Sequence, residues 1–369
     1  MIMFPGMVEE APILPKKGRG AVRNESGRYE KLARIAVSDG WDRVSEDEFP
    51  DENRPRTEIR TDSSRSIVSH NDSPDIPFSS SINPYKGCEH GCIYCFARPT
   101  HAYLGLSPGL DFETKIFAKP DAAQLLDKTF RGRNYKPSVI AMGANTDPYQ
   151  PAERSLRITR AVLEVLERFG HPVGIVTKSA LVTRDIDILA RLAKRRLVAV
   201  SLSVTTLDRD LARVMEPRAS TPPRRLEAIR QLSEAGIPTG VMAAPMIPAL
   251  NDPELEAILQ AAAAAGATSA GYVLLRLPLE IKDLFADWLE AHRPDRAKHV
   301  LSLVRDTRGG ALYTAEFGKR MRGDGPYAEL IGQRFRAAVK RLGLNRDRWA
   351  LDLGQFKVPP PQTGQLSLF

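Results

Sequence analysis

Between about residues 79 and 293 the apolar positions of this chain follow two alternating rhythms. Short runs of five to seven residues, at 81–85, 138–142, 173–177, 198–204, 239–244 and 270–275, are rich in Val, Ile and Ala and are bounded by polar or turn-forming residues. Runs of that length and make-up predict buried strands. Between them, 122–130, 154–169, 183–193, 223–235 and 253–264 place apolar residues three and four positions apart, and 282–290 does so after the last strand. That spacing predicts helices with one buried face. Gly170 and Gly236 stand where helices should stop. Six strand-helix units in a row, joined by right-handed crossovers, predict an α/β fold with a partial (β/α)6, TIM-like barrel.

The flanks read differently. Residues 1–78 are rich in Arg, Asp, Ser and Pro and poor in apolar periodicity, which predicts a mostly extended or disordered basic/polar arm, with one short helix near 28–36. Its run 16–23 is basic and glycine-containing, a composition that suits a solvated tail or a phosphate backbone. After the barrel core of 79–293, residues 294–350 form a helical, basic extension. Within it 327–344 carries an apolar stripe of Leu330, Ile331, Phe335, Ala338, Val339 and Leu342. Residues 351–369 are expected to form a flexible tail. The chain has 53 Lys plus Arg against 45 Asp plus Glu, a net charge of +8, so a polyanionic partner fits. The N-terminus lacks the pattern of a signal peptide, and nowhere does an apolar run reach the roughly 18 residues of a membrane span. A soluble, cytoplasmic protein with no membrane partner is therefore expected.

All three cysteines lie within one short stretch, Cys88-Glu-His-Gly-Cys92-Ile-Tyr-Cys95. Three thiolates on one loop can hold three irons of a [4Fe-4S] cluster and leave the fourth open to a ligand. The competing reading is structural zinc with His90 or His101 as the fourth ligand, in a non-enzymatic nucleic-acid-binding protein. Zinc sites usually draw ligands as two separated pairs, and a second pair is missing here. With no cysteine left for disulfides, a reducing compartment is expected.

In barrels of this type the chemistry gathers at the C-terminal ends of the strands. Those ends are polar in this chain. The first leads into the cysteine loop, the second into Asn145, Thr146 and Asp147, and the third into Thr177, Lys178 and Ser179. The fourth carries Ser201 and Ser203, and the fifth is followed by Asn251 and Asp252, read as a helix cap. The sixth runs into Arg276-Leu-Pro278.

These features together resemble the radical S-adenosylmethionine (SAM) superfamily, in the branch similar to spore photoproduct lyase. The resemblance rests on the cysteine spacing with Tyr94 before the third cysteine, and on Asn145-Thr-Asp-Pro-Tyr-Gln-Pro151 and Thr177-Lys-Ser179. Glu216-Pro-Arg218, residues 222–226 and Ala235-Gly-Ile-Pro238 extend it. It implies that Cys88, Cys92 and Cys95 ligate a [4Fe-4S] cluster whose open iron is chelated by SAM, and that an electron donor drives cleavage to a 5'-deoxyadenosyl radical. It further implies that Tyr94, Asn145, Thr146, Asp147, Lys178, Ser201 and Ser203 bind the cofactor. In one respect the chain departs from the branch: it lacks the fourth cysteine that returns a hydrogen atom to the product in spore photoproduct lyase. Tyr149 and Tyr103 are the candidate replacements.

The tail carries a separate signal. After Pro359-Pro-Pro361 the chain continues to Gln365, Leu366, Ser367, Leu368 and Phe369, a peptide similar to those that dock on the bacterial polymerase sliding clamp. An extended leash with a glutamine and three apolar side chains suits a groove of that kind. The expected function is a radical SAM enzyme with lyase-like chemistry on DNA, associated with repair. Modification of RNA or protein is the alternative.

Overall fold

The computed structural model describes residues 9–10, 15–32, 37–38, 55–347 and 349–360. The tail peptide Gln365–Phe369 therefore lies outside the described residues. Six strands run parallel in chain order: β1 Ser80–Ile82, β2 Ile140–Met142, β3 Val173–Thr177, β4 Val198–Ser203, β5 Thr239–Met246 and β6 Ser269–Leu274. Each pairs with the strand before it, and Val68–His70 adds an antiparallel edge beside β1. The helices between them are α1 Ala122–Phe130, α2 Ile158–Phe169, α3 Ile186–Lys194, α4 Pro222–Glu234 and α5 Leu255–Ala264, with α6 Ile281–His292 after β6. This is the partial (β/α)6 barrel anticipated from the apolar rhythm.

Side-chain alternation creates two unlike faces. Val198, Val200, Leu202 and Val204 pack into the main core with Val173, Ile175, Ile229 and Ile258. On the other face, Val176 pairs with Ser201 and Ser201 with Gly240. Beside Ser201 that face stays open, so that Val176 keeps 39% of its surface although it lies in a central strand, whereas the bareness of Gly240 makes room for Trp349.

Three local departures have identifiable causes. The strand expected at 81–85 breaks at Asn83-Pro84, and Tyr85–Lys86 joins a second sheet with Lys115–Ala118 and Glu58–Thr61. Proline cannot donate to a ladder. The helix expected at 154–169 is split by Arg157, which takes a left-handed φ of 51°. Buried Glu153 turns back there and accepts the Thr159 N–H at 3.1 Å, capping α2. Asn251 sits at the N-cap of the helical turn Asp252–Glu254, as expected, but its side chain staples the preceding loop and does not cap the turn. Its carbonyl oxygen accepts the Ile247 N–H at 2.6 Å, and its amide donates to the carbonyls of Thr205 and Pro245.

The N-terminal region also differs from the expected solvated arm. Residues 58–61 and 68–70 are strands, while Arg19, Gly20, Ala21 and Val22 are buried against the cysteine loop. Of the helix expected at 28–36, residues 28–32 form turns and bends and 33–36 lie outside the described residues. Beyond the barrel come α7 Pro294–Asp306 and α8 Pro326–Leu342. α8 packs on α5 through Arg334–Glu256 and is joined to β6 by the Phe335–Tyr272 ring pair, but Leu330 points outward, 48% exposed. Residues 349–360 then strap the N-terminal end of the sheet. Phe356 enters a pocket of Phe130, Tyr135 and His171, and Trp349 lies where a Cβ on Gly240 would meet it at 2.8 Å. Among the described residues no helix is long and apolar enough to cross a membrane.

Candidate functional site

The cysteine loop follows Tyr85–Lys86 at the C-terminal end of β1, and separate parts of the chain brace it. The Cys88 N–H donates to the Phe112 carbonyl at 2.9 Å, and the Ile93 N–H to Met215 at 3.1 Å. Gln150 accepts the Glu89 N–H at 2.9 Å and returns a bond to the Gly87 carbonyl. Gly91 has a φ of +68°, and a Cβ there would lie 2.8 Å from Glu113 Oε2. Only glycine meets both demands.

Beneath the loop lies a buried ion pair, Arg98–Glu113, with both side chains fully buried. Glu113 also accepts the N–H groups of Gly20 and Ala21 at 2.9 and 2.8 Å, and Arg98 donates to the carbonyls of Cys92, Pro108 and Gly109. Every side-chain nitrogen and oxygen of the pair has a hydrogen-bond partner, which is the condition under which a buried pair is tolerated. The N-terminal segment is thereby part of the cluster-loop scaffold. A second pair, Glu216–Arg225, serves the other side. Glu216 accepts from the hydroxyls of Tyr94 and Thr205, and Arg225 donates to the carbonyls of Ser220 and Ser203. The adjoining Arg218 donates from its backbone to the His90 carbonyl and from its guanidinium to Glu89.

Burial pushes all three cysteine thiols above their ordinary range. The charges of Asp147, Cys92 and Cys95 add to the burial effect at Cys88. The Asp147 N–H points at Cys88, and the Ala97 and Arg98 N–H groups point at Cys95. Lys178 opposes the burial effect at Cys92 and Cys95, and its Nζ lies 5.7 Å from the centre of the Tyr94 ring. Soft thiol donors in an apolar pocket, with N–H groups aimed at the sulfurs and a cation beside them, fit an iron-sulfur cluster.

The zinc alternative fits poorly. His101 is fully buried with its Nε2 3.0 Å from the Lys115 carbonyl, and burial lowers its pKa to about 4. His90 directs Nδ1 to Asp147 Oδ2 at 3.4 Å. Among the described residues no three His, Cys, Asp or Glu side chains gather around the position of one ion.

The remaining expected site residues divide into those whose polar groups are spent and those whose are not. Asp147 Oδ1 accepts from the Tyr149 N–H and the Thr177 hydroxyl, and Oδ2 from the Lys178 N–H at 2.7 Å and from His90. Burial alone would raise its pKa, but His90, Lys178 and Thr177 outweigh this and bring it to about 2. Thr146 donates to the Tyr85 carbonyl at 2.7 Å. Asp147 and Thr146 therefore bind the strand ends together. Asn145 uses its N–H on Asn83, while its side-chain amide makes no hydrogen bond among the described residues. Lys178 forms no ion pair among them, and half-buried Ser201 lies on the open face. Ser203 is buried, its carbonyl held by Arg225.

Neither tyrosine is placed as a hydrogen donor at the mouth. Tyr149 is fully enclosed in the core on the helix side, its hydroxyl beside Asp185 without a well-formed hydrogen bond. Tyr103 is 69% exposed and stacks on Tyr29 and Arg28 at the outer surface. Both placements run against the sequence-based expectation. That expectation also missed Glu113, Arg98 and Arg225 as supports, and the helical turns at Arg98–Leu104 and Leu110–Thr114 that carry the first pair. The signal was weak: a charged residue in a short irregular segment reads as surface until its partner is known.

Residues 82–262 match the Radical SAM superfamily. The chain is 37% identical over 290 residues to an uncharacterised protein of Mycobacterium tuberculosis, spanning 78% of this chain and 79% of that one. Spore photoproduct lyase complexed with dinucleoside spore photoproduct has a similar structure, with a TM-score of 0.55 and 18% identity over 78% of this chain and 80% of the lyase. A mutant of that lyase with bound AdoMet and dinucleoside spore photoproduct gives the same TM-score and coverage at 17% identity. At such identity the likeness is one of fold. Superfamily membership implies a [4Fe-4S] cluster and SAM, in keeping with the donor set at the mouth. By sequence match, cysteine loop and barrel, the chain belongs to the radical SAM superfamily.

Proposed function

We propose that this protein is a radical SAM enzyme that holds a [4Fe-4S] cluster on Cys88, Cys92 and Cys95 and acts on DNA in a lyase-like, repair-associated reaction. The observation that carries the cofactor assignment is the trio of thiols, two buried and Cys95 partly exposed, on one braced loop at the C-terminal ends of parallel strands. When bound, the cluster and SAM supply a 5'-deoxyadenosyl radical that takes a hydrogen atom from the substrate. The Lys178 ammonium, beside Tyr94 and without an ion pair among the described residues, would pair with the SAM carboxylate, and the Asn145 amide and Ser201 hydroxyl, unspent among those residues, would serve its other polar atoms. Tyr94, buried with its hydroxyl on Glu216 and with the Lys178 ammonium near its ring, would line the cofactor beside the thiols. Thr146, Asp147 and Ser203 act one step back, holding these residues in register. The part of the inner face beside Val176 and Ser201, away from Trp349, supplies room.

The DNA assignment draws on the net charge, on the lesion-bound lyase of similar fold, and on the tail. Arg131 grips the Pro359 carbonyl at 2.8 Å, so the strap is anchored up to the proline run that precedes Gln365–Phe369. From that anchor the tail peptide can dock on the sliding clamp. A different hydrogen source from that of spore photoproduct lyase is required, since this chain has only three cysteines.

Anaerobic reconstitution with iron and sulfide, followed by reduction in the presence of SAM, tests the cofactor reading. Formation of 5'-deoxyadenosine is the expected product. Stoichiometric zinc binding with no cluster would overturn it. Capture of the protein by the sliding clamp, lost on deletion of 365–369, is expected for recruitment; capture that survives the deletion removes that argument.

A further inference from the structure

Where β6 ends, two arginines share one corner of the mouth without a carboxylate of their own. The guanidinium of Arg276 lies 4.9 Å from the centre of the Phe96 ring, and Phe96 directly follows Cys95. Its Nε is buried with no hydrogen-bond partner, and Nη1 reaches only the sulfur of Met321 at 3.4 Å. Arg308, 4% exposed, sits close by. It spends Nη1 and Nη2 on the carbonyls of Lys319 and Leu275, and its Nε is also unpartnered. Burial and the charge of Arg276 pull its pKa down to about 10, a sign that the two cations feel one another. Asp75 is the carboxylate in range of Arg276, and it is already held by Arg320 and by the Gly318 N–H at 2.7 Å. Among the described residues neither Arg276 nor Arg308 has an ion-pair partner.

Two neighbouring guanidiniums in a low-dielectric corner are costly unless an anion completes them. A guanidinium with its Nε–H unspent matches phosphate geometry better than a lysine would. Phe96 is 43% exposed, with Arg276 against one side of its ring. An aromatic ring left open beside a phosphate-matching cation is the pairing used to hold unpaired nucleic acid. A small carboxylate would use the arginine and leave the ring idle.

We infer that Arg276, supported by Arg308 and flanked by Phe96, is the subsite that takes a phosphodiester of unpaired DNA, with a neighbouring base stacked on Phe96 next to the cluster loop. This rests on the reading of DNA as substrate. It names which part of the basic surface touches the strand, and places that contact one residue from Cys95.

The test is fluorescence anisotropy of a labelled oligothymidylate with the reconstituted full-length protein over a salt series, without turnover. Arg276→Gln should weaken binding roughly tenfold or more and reduce the slope of log affinity against log salt by about 0.7. Phe96→Ala should weaken it by roughly fivefold or more with the slope kept. Arg322→Gln, an exposed cation next to Met321 in the connection between α7 and α8, should have a much smaller effect on affinity. Matching melting temperatures check the fold. If the glutamine variant melts early, Arg276→Lys decides, since it keeps charge and slope but loses the fork and part of the affinity. Binding by Arg276→Gln within twofold of the parent, at unchanged slope, overturns the subsite and leaves the DNA reading standing. Failure of the parent protein to bind DNA, or preference for the matching oligoribonucleotide, removes the DNA reading and the subsite with it.

Discussion

Glu216→Gln removes one charge from the support behind Tyr94 while keeping its shape. The Glu216 side chain is fully buried and that of Arg225 is 1% exposed. Breaking one partner of a buried ion pair costs about 3–5 kcal/mol, because the other charge is left uncompensated. Here the amide still accepts from Tyr94 or Thr205, and Arg225 keeps the carbonyls of Ser220 and Ser203, so the lower figure, about 3 kcal/mol, applies. A domain of this size loses roughly 2–4 °C of melting temperature per kcal/mol, which gives a fall of about 6–12 °C. Calorimetry of Glu216→Gln, Arg225→Met and the double variant measures it. If the two groups act as one unit, the double variant loses less than the two singles added together. Tyr94 lies between Cys92 and Cys95, so the single variants should also release iron faster to a chelator. A shift below 2 °C for Glu216→Gln, or strict additivity in the cycle, would refute the assignment of this pair as a support of the cysteine loop.

On the proposed pairing of its ammonium with the ligand carboxylate, Lys178→Met should weaken SAM binding roughly tenfold; equilibrium dialysis reads it, and unchanged affinity would refute the pairing. His171, fully buried against Phe130 with its Nε2 2.7 Å from the Tyr135 hydroxyl, has its pKa lowered to about 4 by burial. It is neutral when folded, so its part in stability is whole above the unfolded pKa of about 6.5 and declines as pH falls towards 4, by roughly 3 kcal/mol in total. His171→Leu should flatten that limb in urea titrations, and an unchanged pH profile would count against it. Removal of residues 361–369 should leave the melting temperature within about 1 °C of the parent, because the strap ends in Phe356 and Pro359 upstream of the cut.

The barrel was legible because each strand keeps its apolar run and each helix its stripe, signals that depend only on nearest neighbours in the chain. β3 matches its expected bounds, and α1 does too. The elements that escaped notice owe their structure to distant partners. Arg19 to Val22 read as a solvated basic run, yet they are buried because Glu113, more than ninety positions away, accepts two of their N–H groups. Tyr149 and Tyr103 share a side chain suited to hydrogen donation, and only the packing of the helix layer and of Arg28 separates them from the mouth. Composition reports what a residue can do; its long-range partners decide whether it is free to do it.

That distinction also sorts the site itself. Asp147 has the strongest acidic signal among the strand-end residues, but four protein donors occupy its two oxygens. It is a clamp between β2, β3 and the cysteine loop, and it leaves little capacity for a ligand. Lys178, its neighbour in space, uses its N–H on that clamp and keeps its ammonium unpaired. Arg225 and Arg276 make the same contrast among the cations. Arg225 is fully engaged by Glu216 and two carbonyls, whereas Arg276 reaches the mouth with one nitrogen unpartnered. Since an uncompensated polar group near a buried surface costs free energy, a fold keeps such groups where a ligand completes them. On the proposed reading, the set of Asn145, Lys178, Ser201 and Arg276, unspent among the described residues, would line a path from the cofactor side of the cysteine loop to the substrate side. Mutations along that path should alter binding before stability, and mutations at Asp147, Glu113 or Glu216 should do the reverse.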